Sequence, residues 1–210
     1  PGDGWDYTDV LGRLAENPRV NPLQLSRAAA DSYMDFYTKS DLLSYGTVSA
    51  LYSVLDLQYA DDLYRAYADF ASAALKTSAE YAGTAAYLGK SANRSIKFAQ
   101  ASQDAYNTMD LGLFMQGMDE ILQEEAQAVL KVLDDMVLYN RRGNLVTDAT
   151  GITVYYPASV NSLAALQKAV KYIEQYVTSH HLNGWGSYQL VKRISEQAYK
   201  SSNSNERIAL

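Results

Sequence analysis

The 210-residue sequence contains no cysteine. This absence excludes a thiol nucleophile, a disulfide framework, cysteine-based zinc sites and iron–sulfur ligation within these residues. A chain of this length buries roughly 70% of the surface that it exposes when unfolded, so its core needs no disulfide or structural metal. We therefore expect one soluble globular unit that is stabilised by apolar packing.

Long apolar runs and an excess of positive charge are also absent. No stretch approaches the ~18 apolar residues of a membrane span, and no charged-then-apolar segment resembles a signal peptide. Asp and Glu number 24 against 18 Lys and Arg, which gives a formal net charge of −6. Nucleic-acid-binding proteins usually carry a basic stripe. The sequence therefore predicts no nucleic-acid partner and no membrane span, and it favours positively charged partners.

Histidine is scarce, and the two residues present, His180 and His181, are adjacent. Adjacent side chains on an extended segment point in opposite directions, so they make a poor metal pair. The sequence contains no Gly-x-Ser-x-Gly elbow and no Gly-x-Gly-x-x-Gly fingerprint. Neighbouring acids such as Asp61 and Asp62 do not face each other on a helix, which favours solvated surface over an acid/base pair. The residues alone predict no catalytic site and no metal site.

Tyrosine is abundant instead, with 18 residues against 4 Phe and 2 Trp. Tyrosine presents a rigid amphipathic surface that suits recognition of a protein or glycan. One hypothesis is therefore a tyrosine-rich, mostly helical binding module, which predicts many tyrosines exposed on one face.

Helical periodicity dominates the chain. Asn21 followed by Pro22 is a typical helix start, with Asn as N-cap and Pro at the first helical position. Cations at Arg141 and Arg142, followed by Gly143, are typical of a helix end. The apolar spacing predicts helices at about 8–16, 21–38, 60–88, 110–118, 119–139, 163–177 and 185–199.

Two segments have the composition of strands, 51–57 and 151–157, and roughly a hundred residues separate them. The Ala-, Ser- and Asn-rich stretch 89–107 is predicted to be irregular. Two strands do not make a stable sheet alone. Either they add to a sheet whose other strands lie outside this chain, or one of the two assignments is wrong. The fold class is α/β, predominantly helical.

Four phrases in the sequence carry a resemblance to a known family. In chain order they are PGDGWDY at 1–7, LYSVLDL at 51–57, MDLGLF at 109–114 and GITVYYP at 151–157. Taken as an ordered set, they resemble the downstream half of the clostripain-like cysteine peptidases, which have a caspase-like α/β fold. The resemblance implies that this chain is the C-terminal portion of a caspase-like α/β/α sandwich. Residues 1–158 would belong to the peptidase domain, and 159–210 would form a helical segment packed on it.

The family's catalytic histidine and cysteine lie upstream of the region that this chain resembles. The resemblance therefore implies no catalytic residue in this chain and a partner segment upstream that carries the His/Cys dyad. Peptides with Arg or Lys are the implied substrates. The start at Pro1, with no initiator Met, favours a fragment. An artificially shortened chain, an unusual processing site and an inactive peptidase relative all remain open explanations.

Cleavage after Arg or Lys requires a carboxylate in the S1 pocket, and the resemblance assigns that role to Asp3 in the Pro-Gly-x-Gly-Trp loop. Gly2 and Gly4 give the backbone the freedom to bring this side chain close to a ligand. The alternative is an Asp that stabilises a glycine-rich turn through its own backbone. Trp5 is assigned to an apolar wall for the alkyl stem of the substrate's basic side chain, with simple loop packing as the alternative.

The resemblance also bears on cofactors and location. Family members can depend on calcium, but the series Asp3, Asp6 and Asp9 lacks the order of an EF-hand loop. Acidic residues at a helix start already have an explanation in the helix dipole. We therefore predict no cofactor from the residues, and calcium stays an implication of the resemblance alone. The family is commonly secreted or associated with the cell envelope, which is the expected location.

Overall fold

The computed structural model describes residues 6–39, 50–81, 83–98, 108–155 and 171. The helices in these residues are α1 (Tyr7–Glu16), α2 (Pro22–Lys39), α3 (Ala60–Glu80), α4 (Gly83–Arg94), α5 (Leu111–Gln116) and α6 (Gln123–Met136). The strands are β1 (Leu51–Leu55), β2 (Lys97–Phe98), β3 (Thr108–Asp110), β4 (Val137–Arg142) and β5 (Thr153–Tyr155). A single 3₁₀ turn, Leu57–Tyr59, links β1 to α3.

The first two helices begin within one residue of their predicted starts. The Asp6 carboxylate accepts a hydrogen bond from the Asp9 amide (3.1 Å) and caps α1. Asn21 and Gln24 cap α2 reciprocally, because each side chain accepts a hydrogen bond from the other residue's amide, at 2.9 and 3.1 Å. Each cap satisfies backbone N–H groups that lack a partner inside the helix. Both predicted helices are confirmed.

The first sheet joins β1 to β4 in antiparallel register, from Leu51 opposite Arg142 to Leu55 opposite Val137. The pairing extends past both ends, since Asp56 N donates to Met136 O (2.8 Å) and Gly143 N donates to Ala50 O (2.9 Å). The prediction of a helix running to 139 is therefore wrong at its end. Val137 is extended and ends α6, because pairing with β1 outweighs the helical periodicity there.

The second sheet has the order β2-β3-β5, with both pairs antiparallel. The predicted strand within 151–157 is confirmed as β5, and residues 156–157 lie outside the described set. The prediction of an irregular stretch at 89–107 is wrong for 89–98, because α4 continues to Arg94 and β2 follows it, and residues 99–107 lie outside the described set. Each predicted strand therefore pairs with a strand of this same chain that the periodicity did not reveal. The assumption that only two strands are present is wrong.

The predicted helix 60–88 is two helices. Tyr81 is extended (φ −131°, ψ 112°) and ends α3. Its ring lies against Gly83 so closely that a Cβ at that position would come within 2.7 Å of a ring atom. The Thr84 amide donates to the Tyr81 carbonyl (3.2 Å), which joins the end of α3 to the start of α4.

The main core lies between α3, α4, α5 and α6. Phe70 and Phe114 meet edge to face at its centre, with ring centroids 5.9 Å apart. The register predicted for α6 is confirmed, because Ala126, Val129 and Leu133 are buried there. The other buried members are Ala71, Ala74, Leu88, Ala92, Met109, Leu111, Met115 and Met118.

The tyrosines do not form one exposed surface in the described residues. Tyr37 is buried, and Tyr33 packs against both Tyr37 and Tyr52, with ring centroids 4.7 and 5.5 Å apart. The exposed tyrosines come from separate elements: Tyr7 from α1, Tyr64 from α3 and Tyr81 from the residue after α3. This distribution favours tyrosine as packing material over the binding-module hypothesis.

The described residues are mostly helical with a few strands, which is compatible with the predicted class, α/β and predominantly helical. They form two small antiparallel sheets with helices packed around them. Of the helix predicted at 163–177 the structure describes residue 171 alone, which is helical. The helix predicted at 185–199, the boundary at 158/159 and His180-His181 fall outside the described set. No helix in the part of the chain that the structure describes is long and apolar enough to span a bilayer.

Candidate functional site

The two predicted S1 residues, Asp3 and Trp5, lie outside the described residues. Asp6 and Asp9 belong to the same acidic series and are described, and both side chains form local contacts. Asp6 caps α1, and Asp9 pairs with Arg13 at 2.8 Å. The nearby Ser32 hydroxyl, together with the Arg13 guanidinium, holds the pKa of Asp9 below its ordinary value. These contacts agree with the interpretation of Asp6 and Asp9 as acidic residues at a helix start. The role of Asp3 in the S1 pocket remains a prediction.

A cavity of about 680 Å³ opens where α5, α6, β4 and the loop 143–152 meet. Its volume is within the range of small-molecule and peptide sites. The apolar side chains that line it are Leu113, Leu130, Leu133 and Val137. The polar ones are Gln116, Asp134, Asn140, Arg142, Thr147, Asp148 and Thr150. Sequence reasoning missed this cavity, because its walls come from segments that are distant in the chain or that had been assigned to a helix end.

The loop wall of the cavity is held by hydrogen bonds from β4. The Asn140 amide donates to the Ala149 carbonyl (3.0 Å), and the Arg142 guanidinium donates to the Thr147 carbonyl (3.1 Å). Gly151 follows in the same loop at φ 112°, a left-handed conformation that favours glycine. A Cβ there would also approach Ser53 Oγ to 2.8 Å. The loop is thus fixed against the β1–β4 sheet.

Asp110 anchors the same loop from the other sheet. Its side chain is fully buried. The carboxylate accepts hydrogen bonds from the Leu113 amide (3.0 Å), the Thr150 amide (2.8 Å) and the Thr150 hydroxyl (2.6 Å). The Thr150 hydroxyl in turn accepts from the Gly112 amide (3.1 Å). One side chain therefore caps α5 and ties β3 to the cavity wall.

The sequence carries a local signal for the capping role of Asp110. Asp immediately before an apolar helical segment is a typical N-cap. The apolar spacing predicts that Asp110 lies inside the helix 110–118, whereas α5 begins one residue later at Leu111. The partner Thr150 lies 40 residues away and could not be inferred from local pattern.

Tyr87 forms a second polar contact, between α4 and the turn that leads to α6. Its oxygen accepts hydrogen bonds from the amides of Asp119 and Glu120, both at 2.7 Å, and its hydroxyl donates to the Asp119 carboxylate. Burial, followed by this contact with Asp119, raises the pKa of Tyr87. The contact fixes the turn before α6 and leaves the hydroxyl fully engaged within the protein.

A third cluster joins α2 to β4. The Arg141 guanidinium pairs with Asp31 and Asp35, and the Tyr139 hydroxyl donates to Asp31 at 2.6 Å. Arg27 lies over the Tyr139 ring, 5.4 Å from its centroid. Arg141 was predicted to stabilise a helix end through the dipole. It instead points from a strand toward acidic side chains of α2, which makes the cluster a structural link.

Replacing Arg141 by methionine is expected to destabilise the protein by about 1 kcal/mol, because both carboxylates lose their cation while the aliphatic packing is kept. Arg142→Met is the matched control. Its guanidinium contacts only a carbonyl among the described groups, so we expect a change below about 0.5 kcal/mol. Urea unfolding followed by circular dichroism measures both. Equal stabilities for the two variants would contradict the structural role of Arg141.

The residues that the structure describes do not bring together three His, Asp or Glu side chains that could hold a metal ion. The candidate site in this part of the chain is therefore a cavity lined by both polar and apolar side chains. It carries charged groups and no evident nucleophile, since its hydroxyls belong to Thr147 and Thr150 and the latter is hydrogen-bonded to Asp110.

Comparison with known families places the chain among relatives of the cysteine peptidases. The model of the clostripain family matches residues 1–195. Since this match spans most of the sequence, the chain belongs to the clostripain family. Comparisons with curated proteins and with solved structures gave no significant match. The resemblance that the four phrases predicted is confirmed.

Proposed function

We propose that this chain supplies substrate-binding and scaffold elements of a cysteine endopeptidase that cleaves after Arg or Lys, while an upstream segment supplies the His/Cys dyad. One observation carries the proposal: the clostripain family model matches residues 1–195 of a sequence that contains no cysteine. A thiol-dependent reaction in this family therefore needs a nucleophile from outside these 210 residues.

In the proposed reaction, the upstream cysteine thiolate attacks the carbonyl carbon of the scissile bond. The upstream histidine donates a proton to the leaving amine as the bond breaks, and water then hydrolyses the acyl-enzyme. This chain contributes the Asp3 carboxylate, which pairs with the guanidinium or ammonium of the residue before the cleavage site. Trp5 contacts the alkyl stem of that residue. These contacts place the carbonyl at the thiolate.

We propose the β1–β4 pair as the scaffold's connection to the rest of a caspase-like sheet. A two-stranded sheet is marginally stable in water unless further strands or helices cover it. Helix α2 packs on both strands, and the Arg141 cluster ties it to β4. These contacts hold the β1–β4 pair against α2. A strand pair that extends a larger sheet would require such support.

The test is complementation. The upstream segment and this chain are produced separately and together, and hydrolysis of Arg, Lys and Ala peptide substrates is measured. We expect activity on the Arg and Lys substrates from the combination only. Activity of this chain alone, or a combination that cleaves the Ala substrate as fast as the Arg substrate, would overturn the proposal.

A further inference from the structure

The cavity beside Asp110 carries charges that the described residues leave unbalanced. Asp134 lies on α6, Asp148 on the following loop and Arg142 on β4, and all three side chains line the cavity. Among the described residues, none of the three forms an ion pair. Asp148 accepts a hydrogen bond from the Thr147 hydroxyl (3.4 Å), and Arg142 donates to the Thr147 carbonyl. Two carboxylates and one guanidinium thus remain available to a ligand.

The rest of the lining favours a ligand with aliphatic parts. Leu113, Leu130 and Val137 provide partly exposed apolar surface, while Gln116 provides an amide group that suits a peptide backbone. A volume of about 680 Å³ exceeds one side chain and fits several residues of an extended peptide. The methylene stem of Lys or Arg can pack on leucine while its charged end pairs with a carboxylate.

We propose that this cavity binds a short peptide that carries a basic side chain close to a carboxylate. The basic group pairs with Asp134 and Asp148, and the peptide carboxylate pairs with Arg142, whose guanidinium has five N–H donors and spends one on Thr147. Two acidic side chains and one basic side chain line the cavity, so the lining carries a net negative charge. We therefore expect the basic group of the peptide to contribute more to binding than its carboxylate. The carboxylate belongs either to the peptide's C-terminus or to an acidic side chain.

The site goes beyond the proposed catalytic function, because it needs no cysteine and no upstream segment. Its test is therefore a binding measurement on the 210-residue chain alone. A fluorescently labelled pentapeptide with a C-terminal Arg and a free carboxylate is titrated and followed by anisotropy. Matched peptides replace Arg by citrulline, replace the C-terminal carboxylate by an amide, or combine the amide with a neighbouring Asp.

We expect the citrulline peptide to bind about fivefold or more weakly, since it loses the cation at both carboxylates. The peptide that carries the C-terminal amide without Asp is expected to bind up to about fivefold more weakly. Recovery of affinity in the amide that carries Asp identifies an acidic side chain as a sufficient source of the carboxylate, and no recovery identifies the C-terminus. Equal affinity of the Arg and citrulline peptides, or no saturable binding of either, overturns the proposal.

Substitutions of the cavity residues test which side chain contacts which group of the peptide. Asp134→Asn and Asp148→Asn are each expected to reduce the preference for Arg over citrulline by about two- to fivefold. Arg142→Gln is expected to reduce only the preference for the free carboxylate over the amide. Asp135→Asn is the matched control, because Asp135 adjoins Asp134 on α6 but does not line the cavity. Equal losses in Asp134→Asn and Asp135→Asn would mean a general charge effect and would overturn the assignment.

Discussion

Replacing Asp3 by alanine is expected to lower kcat/KM for Arg and Lys substrates of the reconstituted peptidase by about a hundredfold or more. Removing one partner of a desolvated charge pair costs about 2–5 kcal/mol, much of it because the other charge is left unpaired. Asp3→Asn should lose nearly as much, since the amide keeps the shape and removes the charge. Steady-state hydrolysis of matched peptide substrates measures the effect.

Two controls separate a pocket role from a general loss of structure. A substrate with a neutral residue before the cleavage site should be hydrolysed at nearly the same low rate by the Asp3 variants and the parent enzyme. Asp6→Asn removes a charge three residues away and keeps the capping oxygen of α1, so it should leave the kinetics nearly unchanged. Unchanged kinetics in Asp3→Ala would remove Asp3 from the pocket.

Replacing Asp110 by alanine is expected to destabilise the chain by about 3–5 kcal/mol. The substitution leaves the partly buried Leu113 amide, Thr150 amide and Thr150 hydroxyl without the acceptor that the fully buried Asp110 side chain provides. Each unsatisfied buried donor costs about 1–3 kcal/mol, and partial relaxation reduces the sum. Urea unfolding at neutral pH measures the loss.

The control for Asp110 is a cap of the same chemical type at a more exposed position. Asp56 accepts a hydrogen bond from the Gln58 amide (3.1 Å) at the start of the 3₁₀ turn. Asp56→Ala should cost about 1 kcal/mol or less. In addition, the double variant Asp110→Ala with Thr150→Val should lose less stability than the two single losses added together, because the two side chains share their hydrogen bonds. Strict additivity would contradict the proposed link.

The helices could be predicted where their signals are local. The N-cap at Asn21 and the apolar register of α6 depend on residues within four positions of one another, and the structure bears them out. The sheets could not be predicted in this way. Strand β4 is a strand because β1 pairs with it, and Val54 lies opposite Tyr139, far along the chain. Periodicity within 119–139 carries no information about such a partner.

For the same reason, the cavity could not be predicted from local sequence pattern. Its lining joins α5 and α6 to a loop that Asp110 and Asn140 hold in place. None of these residues is unusual in sequence, and a Thr or Asn acquires its role only through its distant partner. The predicted pocket residue Asp3, by contrast, was identified from a loop phrase shared with a family, and the family itself is confirmed. Its role rests on that resemblance.

The central claim is that the nucleophile and the substrate pocket lie on different segments. The most direct measurement is labelling with an arginyl chloromethyl ketone, which alkylates a catalytic cysteine after its Arg side chain is bound, followed by intact mass of each chain. We predict one label on the upstream segment, much faster in the presence of this chain, and none on this chain. Labelling of the upstream segment at the same rate without this chain would contradict the account.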